Sequence, residues 1–479
     1  GFHPSPPGLP VVPCAAPCVM FRKILLLLSG NASASLLSLM RNLLIARLLS
    51  VEDYGIAATF ALVMTLIEMS TALGLQTQIV QSKDGDKPEF QAALQGFQAL
   101  RGAVSAVILF LGAGLVADFL NLPDLAWAYQ VVALVPLLGG FIHFDIYRLN
   151  RDMRFGPLLL TSTAPMAITL AMVWPLVQWL GDWRAMLGII LAQVTATTVA
   201  SHLVADRRYR ISFDTAQMRQ SLGFGWPLLI NNMLLFLTFQ GDRALVVREL
   251  GPEILAIFSM GVTLTLTPTL VMSKSLQSLL LPRLSKEQDP ARFDRLALIT
   301  QQGAILSALV LLLGIFFLGA PMVALVLGEK YTPLVPILGA LAGVQALRVL
   351  KTGGNTVALS RGQTGNAMIS NVFRVATLPF VWIALVRGAG LETVIALAAL
   401  GEILGYAASL TLVRLRLGQK LLPLAAPLFC TVIVTALVAG VGPDVSRAAT
   451  VLLVLGFAAA TLVTTSELRS WILQRLHKG

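Results

Sequence analysis

Apolar runs of about 20 residues follow one another along nearly the whole chain, each long enough to cross a hydrocarbon core of roughly 30 Å as a helix. At that depth every backbone polar group must be satisfied within the protein, which leaves helices or a closed barrel. The runs lack the alternation of barrel strands, so the chain reads as an all-α polytopic membrane protein. Composition agrees: of 479 residues 56% are hydrophobic and 12% charged, with a mean hydropathy of +0.79, more apolar surface than a soluble core could hide. Fourteen spans are predicted, at 24–47, 55–80, 93–117, 125–146, 156–179, 184–204, 221–247, 254–280, 296–318, 334–359, 366–386, 390–413, 421–440 and 447–464.

The net charge of +11 sits mostly in the short connectors. With the N-terminus inside, inner connectors carry about 17 Lys and Arg against about 5 in outer ones, which fits the positive-inside rule and places residues 1–20 and 465–479 in the cytoplasm. The basic balance therefore orients the chain in a bilayer, and no nucleic-acid partner is expected. Cys14, Cys18 and Cys430 show no metal or disulfide spacing. Residues 1–19 are Pro-rich and predicted to be neither a helix nor a span, so 1–20 reads as a disordered extension. Met20-Phe21-Arg22-Lys23 resembles a natural start; the alternative is a secretory signal with a cleavage site at Asn31-Ala32-Ser33-Ala34.

One stretch recurs. Arg47, Leu49 and Glu52 in NLLIARLLSVEDYG match Arg248, Leu250 and Glu253 at an offset of 201 residues. This predicts two related lobes of six helices, 21–204 and 221–413, joined by a linker at 205–220 and followed by a helix pair and tail at 414–479, with span 1 matched to span 7.

Charges at membrane depth cost roughly 2.5–3.5 kcal/mol each on insertion scales, so they mark cavities or pathways unless they snorkel from a helix end. In span 1, Asn31, Ser35, Ser38 and Asn42 share a helical stripe flanked by Arg41. Span 7 repeats this with Asn231, Thr238 and Asp242 beside Arg243, at an offset of 200. Arg348, Lys351, Thr352 and Asn355 share a face of span 10, and Ser370, Asn371, Arg374 and Thr377 a face of span 11. Arg348, Lys351 and Arg374, about 12 Å deep at 1.5 Å per residue, lack enough neighbouring acids and are expected to line the central cleft for an anionic ligand. Glu68 and Glu402 are candidates for a coupling ion or an ion pair, and Asp242 for an ion pair with Arg243 or an arginine of another helix. Trp174-Pro175, Trp226-Pro227 and Thr267-Pro268-Thr269 are candidate kinks. No catalytic constellation, metal site or cofactor motif is present in the pattern of residues.

The stretches Arg47-LLSVEDYGI, GDRALVVRELGPE from Gly241, and Arg148-LN-Arg151-Asp152-Met153-Arg154-Phe155 resemble marks of polysaccharide-export flippases, the lipopolysaccharide and teichuronic-acid export branch of the multidrug/oligosaccharidyl-lipid/polysaccharide superfamily. The resemblance covers roughly 20–416; the chain departs from the usual pattern at Ala256 and Phe258. It implies two six-helix lobes around a cleft that opens alternately to each side of a bacterial inner membrane. The implied cargo is an undecaprenyl-pyrophosphate-linked oligosaccharide (an O-antigen, exopolysaccharide or capsule repeat unit), with H+ or Na+ as a coupling ion and polymerase or export machinery as partners. It implies a cationic lumen, for which Arg41, Arg348, Lys351 and Arg374 are positioned, with Asn31, Asn42 and Asn355 beside them. A multidrug or lipid antiporter of the same superfamily is the nearest alternative, favoured by an acid-lined pocket. A glycan polymerase or ligase would need a long outer loop with Arg or His near its ends, which is missing.

Overall fold

The computed structural model describes residues 17–441 and 448–476, with side chains from 33 to 440 and 448 to 471. All regular structure among them is helical. Each of the fourteen predicted spans has its helical counterpart, and the apolar residues left exposed, such as Leu111, Leu115, Trp179 and Leu453, form the belt a bilayer covers.

The first lobe contains α1 (Pro17–Leu48), α2 (Val51–Thr71), α3 (Leu75–Gln81) and α4 (Pro88–Phe119). After a fourth span built from the short helices α5 (Ala126–Val132) and α6 (Leu134–Gly139), it continues through α7 (Asp145–Arg151), α8 (Gly156–Leu180) and α9 (Arg184–Leu203). The helix begins three residues earlier than expected from the Pro-rich start, because Pro17 occupies its first turn, where a missing N–H is harmless. The expected Pro-rich extension at 1–16 lies outside the described residues.

Two predicted spans are broken where backbone sterics demand it. Span 2 stops at Gly74, whose φ of +65° is left-handed, and resumes as α3. Span 4 is interrupted between α6 and α7, and α6 comes so near α4 that a Cβ on Gly102 would lie 2.5 Å from the Pro136 carbonyl oxygen.

The second lobe begins with α10 (Thr215–Lys286), two spans that fold back on each other at Gly251, where φ is +85°, so that Arg243 Nη2 lies 3.5 Å from the Ser259 carbonyl oxygen. It continues with α11 (Pro290–Met322), α12 (Val335–Ser360), α13 (Gly365–Ala376), α14 (Leu378–Val386) and α15 (Leu391–Leu417). The terminal pair is α16 (Ala425–Val441) and α17 (Ala448–Thr464), with α18 (Ser466–Leu476) after it. No amphipathic helix forms in the 205–214 linker, which is extended.

The lobes meet along a seam between α2 and the first limb of α10, running antiparallel. A Cβ on Gly55 would sit 1.8 Å from the Pro252 carbonyl oxygen, and one on Gly225 at the other end 2.6 Å from that of Leu73. The seam is fastened near the linker by Ser221 Oγ donating to Gln78 Oε1 at 2.7 Å and Gln78 Nε2 to the Ser221 carbonyl at 3.2 Å.

At the other end two clasps join the lobes, one at each copy of the recurring stretch. Arg47 donates to the carbonyls of Leu325 and Val326 at 2.8 and 2.9 Å, while Lys330 donates back to the carbonyls of Arg47, at 2.8 Å, and Leu49. Arg248 donates to the Phe119 carbonyl at 2.7 Å, and Asn121 Nδ2 returns a bond to the Arg248 carbonyl at 2.6 Å. In both, an arginine near the end of one lobe's helix meets carbonyls in the last turn of a helix from the other lobe, groups with no intrahelical donor and the negative end of a helix dipole.

The rest of the stretch supports this closure. Ser50 Oγ caps α2 by accepting from Asp53 N at 3.0 Å, and Asp53 Oδ1 accepts from Trp183 N at 3.3 Å. Tyr54 stacks edge-on against Tyr331 of the other lobe, centroids 6.4 Å apart. Arg47 and Lys330 are exposed, so each of their bonds contributes about 1 kcal/mol or less. Arg47→Gln with Lys330→Gln is therefore expected to loosen the clasp without unfolding the protein. The check uses Leu49→Cys in a background with Cys14, Cys18 and Cys430 replaced by Ser, because Leu49 is buried beneath the clasp. Faster maleimide labelling is expected in the double variant; an unchanged rate removes the clasp from the closure.

Candidate functional site: a cationic cavity and a buried ion cluster

A polar cavity of about 570 Å³ lies inside the first lobe and is lined by Arg41, Glu68, Gln98, Arg101, Gln193 and Thr197 among others. Arg41 is 8% exposed; its Nη1 donates to Gln193 Oε1 and lies 3.5 Å from Thr169 Oγ1. Arg101 Nη1 donates to Thr71 Oγ1 at 3.0 Å. Both arginines also keep a buried Nε–H with no protein acceptor. Glu68 is exposed to this space, with the charge of Arg101 as its electrostatic neighbour. The cavity also touches Leu73, Gly74 and Gln76, so it reaches towards the linker end and away from the clasps.

Arg101 is a residue the sequence reading passes over. Its signal was available: a single cation inside an apolar run, on a stripe of α4 that also carries Gln91, Gln95 and Gln98. Asn42 is half-buried and outside the cavity. The side chain of Asn31 lies outside the described residues.

In the second lobe the expected face-to-face arrangement of spans 10 and 11 is found, but its charge balance differs from expectation. Glu402, fully buried on α15, sits among the three cations: Arg348 Nε at 2.7 Å, Lys351 Nζ at 2.8 Å and Arg374 Nε at 3.8 Å from its oxygens. Asp242 on α10 pairs with Arg374, which is 1% exposed, and Lys351 Nζ also donates to Asn371 Oδ1 at 2.9 Å. The expectation that these three cations line an open cleft for want of acids is thus corrected for this conformation. Lys351 and Arg374 are enclosed between α10, α12, α13 and α15, since a cation without a counter-charge there would be far costlier than a networked one. Replacing all three by Gln would strand Glu402, so abundance in the membrane should fall, which quantification of the variant against the parent protein checks.

Four cations, counting Arg243, face two carboxylates in this cluster. Arg243 Nη1 donates to Gln240 Oε1 at 2.9 Å, and Arg348 stacks over Phe239 with its guanidinium carbon 5.0 Å from the ring centre. Asp242 therefore pairs across helices to Arg374, not with adjacent Arg243. Tyr54 lies within electrostatic reach of both Arg41 and Arg243, bringing the two lobes' cations towards one another beneath the closed end. Asn355 accepts from Asn366 at 2.9 Å and Ser409 at 3.0 Å, and borders a second-lobe cavity of about 280 Å³ with Lys274 and Thr352.

The family described as "Polysaccharide biosynthesis protein" matches residues 44–336, more than half of the chain and both copies of the recurring stretch. The chain belongs to this family. It is 22% identical over 351 residues to the lipopolysaccharide biosynthesis protein WzxC of Escherichia coli, covering 71% of this chain and 69% of that protein. It is 25% identical to the succinoglycan biosynthesis transport protein ExoT of Rhizobium meliloti over 62% of this chain and 60% of the relative. With the teichuronic acid biosynthesis protein TuaB of Bacillus subtilis it shares 22% identity over 73% and 71% of the two chains.

Among solved structures, the lipid II flippase MurJ in an inward closed conformation matches with a TM-score of 0.68 at 12% identity, over 94% of this chain and 99% of that one. An inward-facing multidrug transporter of the MATE family gives 0.65 at 14% identity, over 80% and 94%. The chain shares the fold of these transporters, in a multi-pass membrane protein of the polysaccharide biosynthesis family.

Proposed function

We propose that this family member is a bacterial inner-membrane flippase that carries an undecaprenyl-pyrophosphate-linked oligosaccharide between leaflets by alternating access, with the Arg47 end closed in the present conformation. The observation that carries this reading is the cavity of about 570 Å³ within a membrane-spanning lobe, in which Arg41 and Arg101 hold buried Nε–H donors with no protein acceptor. A pyrophosphate supplies the missing acceptors and the opposite charge, and charge-assisted bonds in such a site are stronger than neutral ones. The names of the relatives point the same way. Separation of the clasps would open the Arg47 end while the seam between α2 and α10 rearranges.

Glu68 is the best-placed acid for a coupling H+ or Na+. Asp242 and Glu402 are engaged by cations, whereas Glu68 faces the cavity without an ion pair within 4.0 Å among the described residues. That observation also favours the second reading, a cation-coupled antiporter for another amphiphile. Polymerase or export machinery would then receive the cargo beyond this step.

Deleting the gene is expected to make a carrier-linked glycan accumulate on the inner side, and the wild-type copy to relieve it. Arg41→Gln with Arg101→Gln should fail to do so, with flux reduced by about 10- to 100-fold if bonds of about 1.5–3 kcal/mol are lost, at unchanged abundance. Full relief of accumulation by the double variant would defeat the cavity assignment, and absence of any accumulating glycan would defeat the choice of cargo.

A further inference from the structure

The stretch Arg148 to Phe155, singled out in the sequence, does not touch the cavity. It fixes the 205–214 linker instead. Arg148 is held by Asp145 at 2.5 Å and Asp152 at 3.1 Å, Arg154 by Asp206 at 2.6 Å, and Arg151 by Asp86 at 3.6 Å and the Ser82 carbonyl. Asp145 in turn accepts the backbone N–H groups of Asp206 and Arg207 at 2.8 and 3.2 Å. The linker is stitched to α4 as well: Gln95 Nε2 donates to the Arg210 carbonyl at 2.6 Å and Ser212 N to the Ala92 carbonyl at 3.0 Å. A Cβ on Gly96 would lie 2.1 Å from the Ser212 carbonyl oxygen, so the approach is tight.

This framework presents Arg207, Arg208 and Arg210 around a cavity of about 260 Å³ whose other wall is Pro88, Gln91, Ala92 and Gln95. The contrast with the neighbouring arginines is chemical. Arg148, Arg151 and Arg154 each meet a carboxylate, whereas Arg207 donates only to neutral acceptors, Gln91 Oε1 at 3.1 Å and the Asp86 carbonyl at 2.9 Å. Arg208 and Arg210 are exposed and make no ion pair within 4.0 Å with a described acid. Cations meant only to orient the chain need no rigid, doubly anchored backbone or shared concavity. Three arginines lining one concavity do suit a phosphate, which accepts several bonds and carries the compensating charge.

The position gives the site its use. Gln91, Gln95, Gln98 and Arg101 lie on one face of α4, so Arg207 at Gln91 and Arg210 at Gln95 stand about 15 and 9 Å along the helix from Arg101 at 1.5 Å per residue, on the side to which the large cavity reaches. We propose that Arg207, Arg208 and Arg210 form a lipid-phosphate site at the mouth of the first lobe, where the phosphate end of the carrier lipid docks before it passes to Arg41 and Arg101. The proposal rests on the flippase reading for its cargo, but the phosphate chemistry stands without it.

The test uses the full chain in nanodiscs of neutral phosphatidylcholine, with undecaprenyl pyrophosphate as probe and a fluorophore on the linker as readout. Arg208→Gln with Arg210→Gln should weaken the response about 10-fold or more, and Arg208→Lys with Arg210→Lys, which keeps the charge and hence the insertion topology, should restore most of it. Arg41→Gln with Arg101→Gln should leave this docking response in place while lowering transport about 10- to 100-fold. If phosphatidylglycerol at 20 mol% (about one lipid in five) competes with the probe, the occupant is bulk anionic lipid; if it does not, it is the carrier. Either supports a lipid-phosphate site. An unchanged response in the linker Gln variant overturns it, leaving the cavity reading intact; loss of transport sensitivity to Arg41 and Arg101 would overturn that reading and leave this one standing.

Discussion

Glu402→Gln is expected to be among the most destabilising single changes in this protein, lowering the unfolding free energy by about 3–5 kcal/mol, the range for removing one partner of a buried ion cluster. The carboxylate contacts Arg348, Lys351 and Arg374, and its loss leaves three mutually repelling cations with only Asp242 nearby. The variant keeps the shape but removes the charge and, because an amide NH2 cannot accept, one of the bonds now donated by Arg348 and Lys351. Chemical unfolding of the detergent-purified protein should show it as an earlier transition, and adding Arg348→Gln should recover part of the loss by removing one of the stranded charges. A transition unchanged from the parent protein would mean that the cluster is hydrated and its charges are independent.

Gly55→Val is expected to have the largest effect on the balance between open and closed forms. Its Cβ would fall 1.8 Å from a backbone oxygen of Pro252, closer than any real contact, and a main-chain atom at a helix start cannot step aside as a flexible side chain does. The seam should part at this end, exposing Leu49→Cys to maleimide far more than the Arg47→Gln, Lys330→Gln pair does, and export should fall with it. Gly55→Ala places the same Cβ and should behave alike. Labelling no faster than in the parent background would show that α2 and α10 can separate there without releasing the clasps.

Span count and membrane class were legible because the apolar runs are long and composition is insensitive to detail. The breaks at Gly74 and between α6 and α7 were not, since neither a left-handed backbone at one glycine nor the close approach of α6 to α4 is encoded in periodicity. Arg348, Lys351 and Arg374 were recognisable as a convergent set from helical spacing on two spans. Their neutralisation was missed because Glu402 and Asp242 come from helices whose rotation about their own axes a sequence does not fix. The recurring stretch was visible as a repeat, but its task was not: Arg47 and Arg248 find backbone atoms hundreds of residues or a whole lobe away.

Those backbone acceptors have a consequence for how such a transporter can change over generations. Leu325 and Val326 offer Arg47 only their carbonyls, which every amino acid possesses, whereas Phe119 also sets its ring against Arg248, with the guanidinium carbon 4.9 Å from the ring centre. Side chains at 325 and 326 are thus free to drift with the lipid around them, as long as the helix end stays in place, while position 119 is held to an aromatic ring. Methods that infer proximity from correlated substitutions should find no signal linking Arg47 to its partners, and a designer could resurface the far side of that clasp without regard to it.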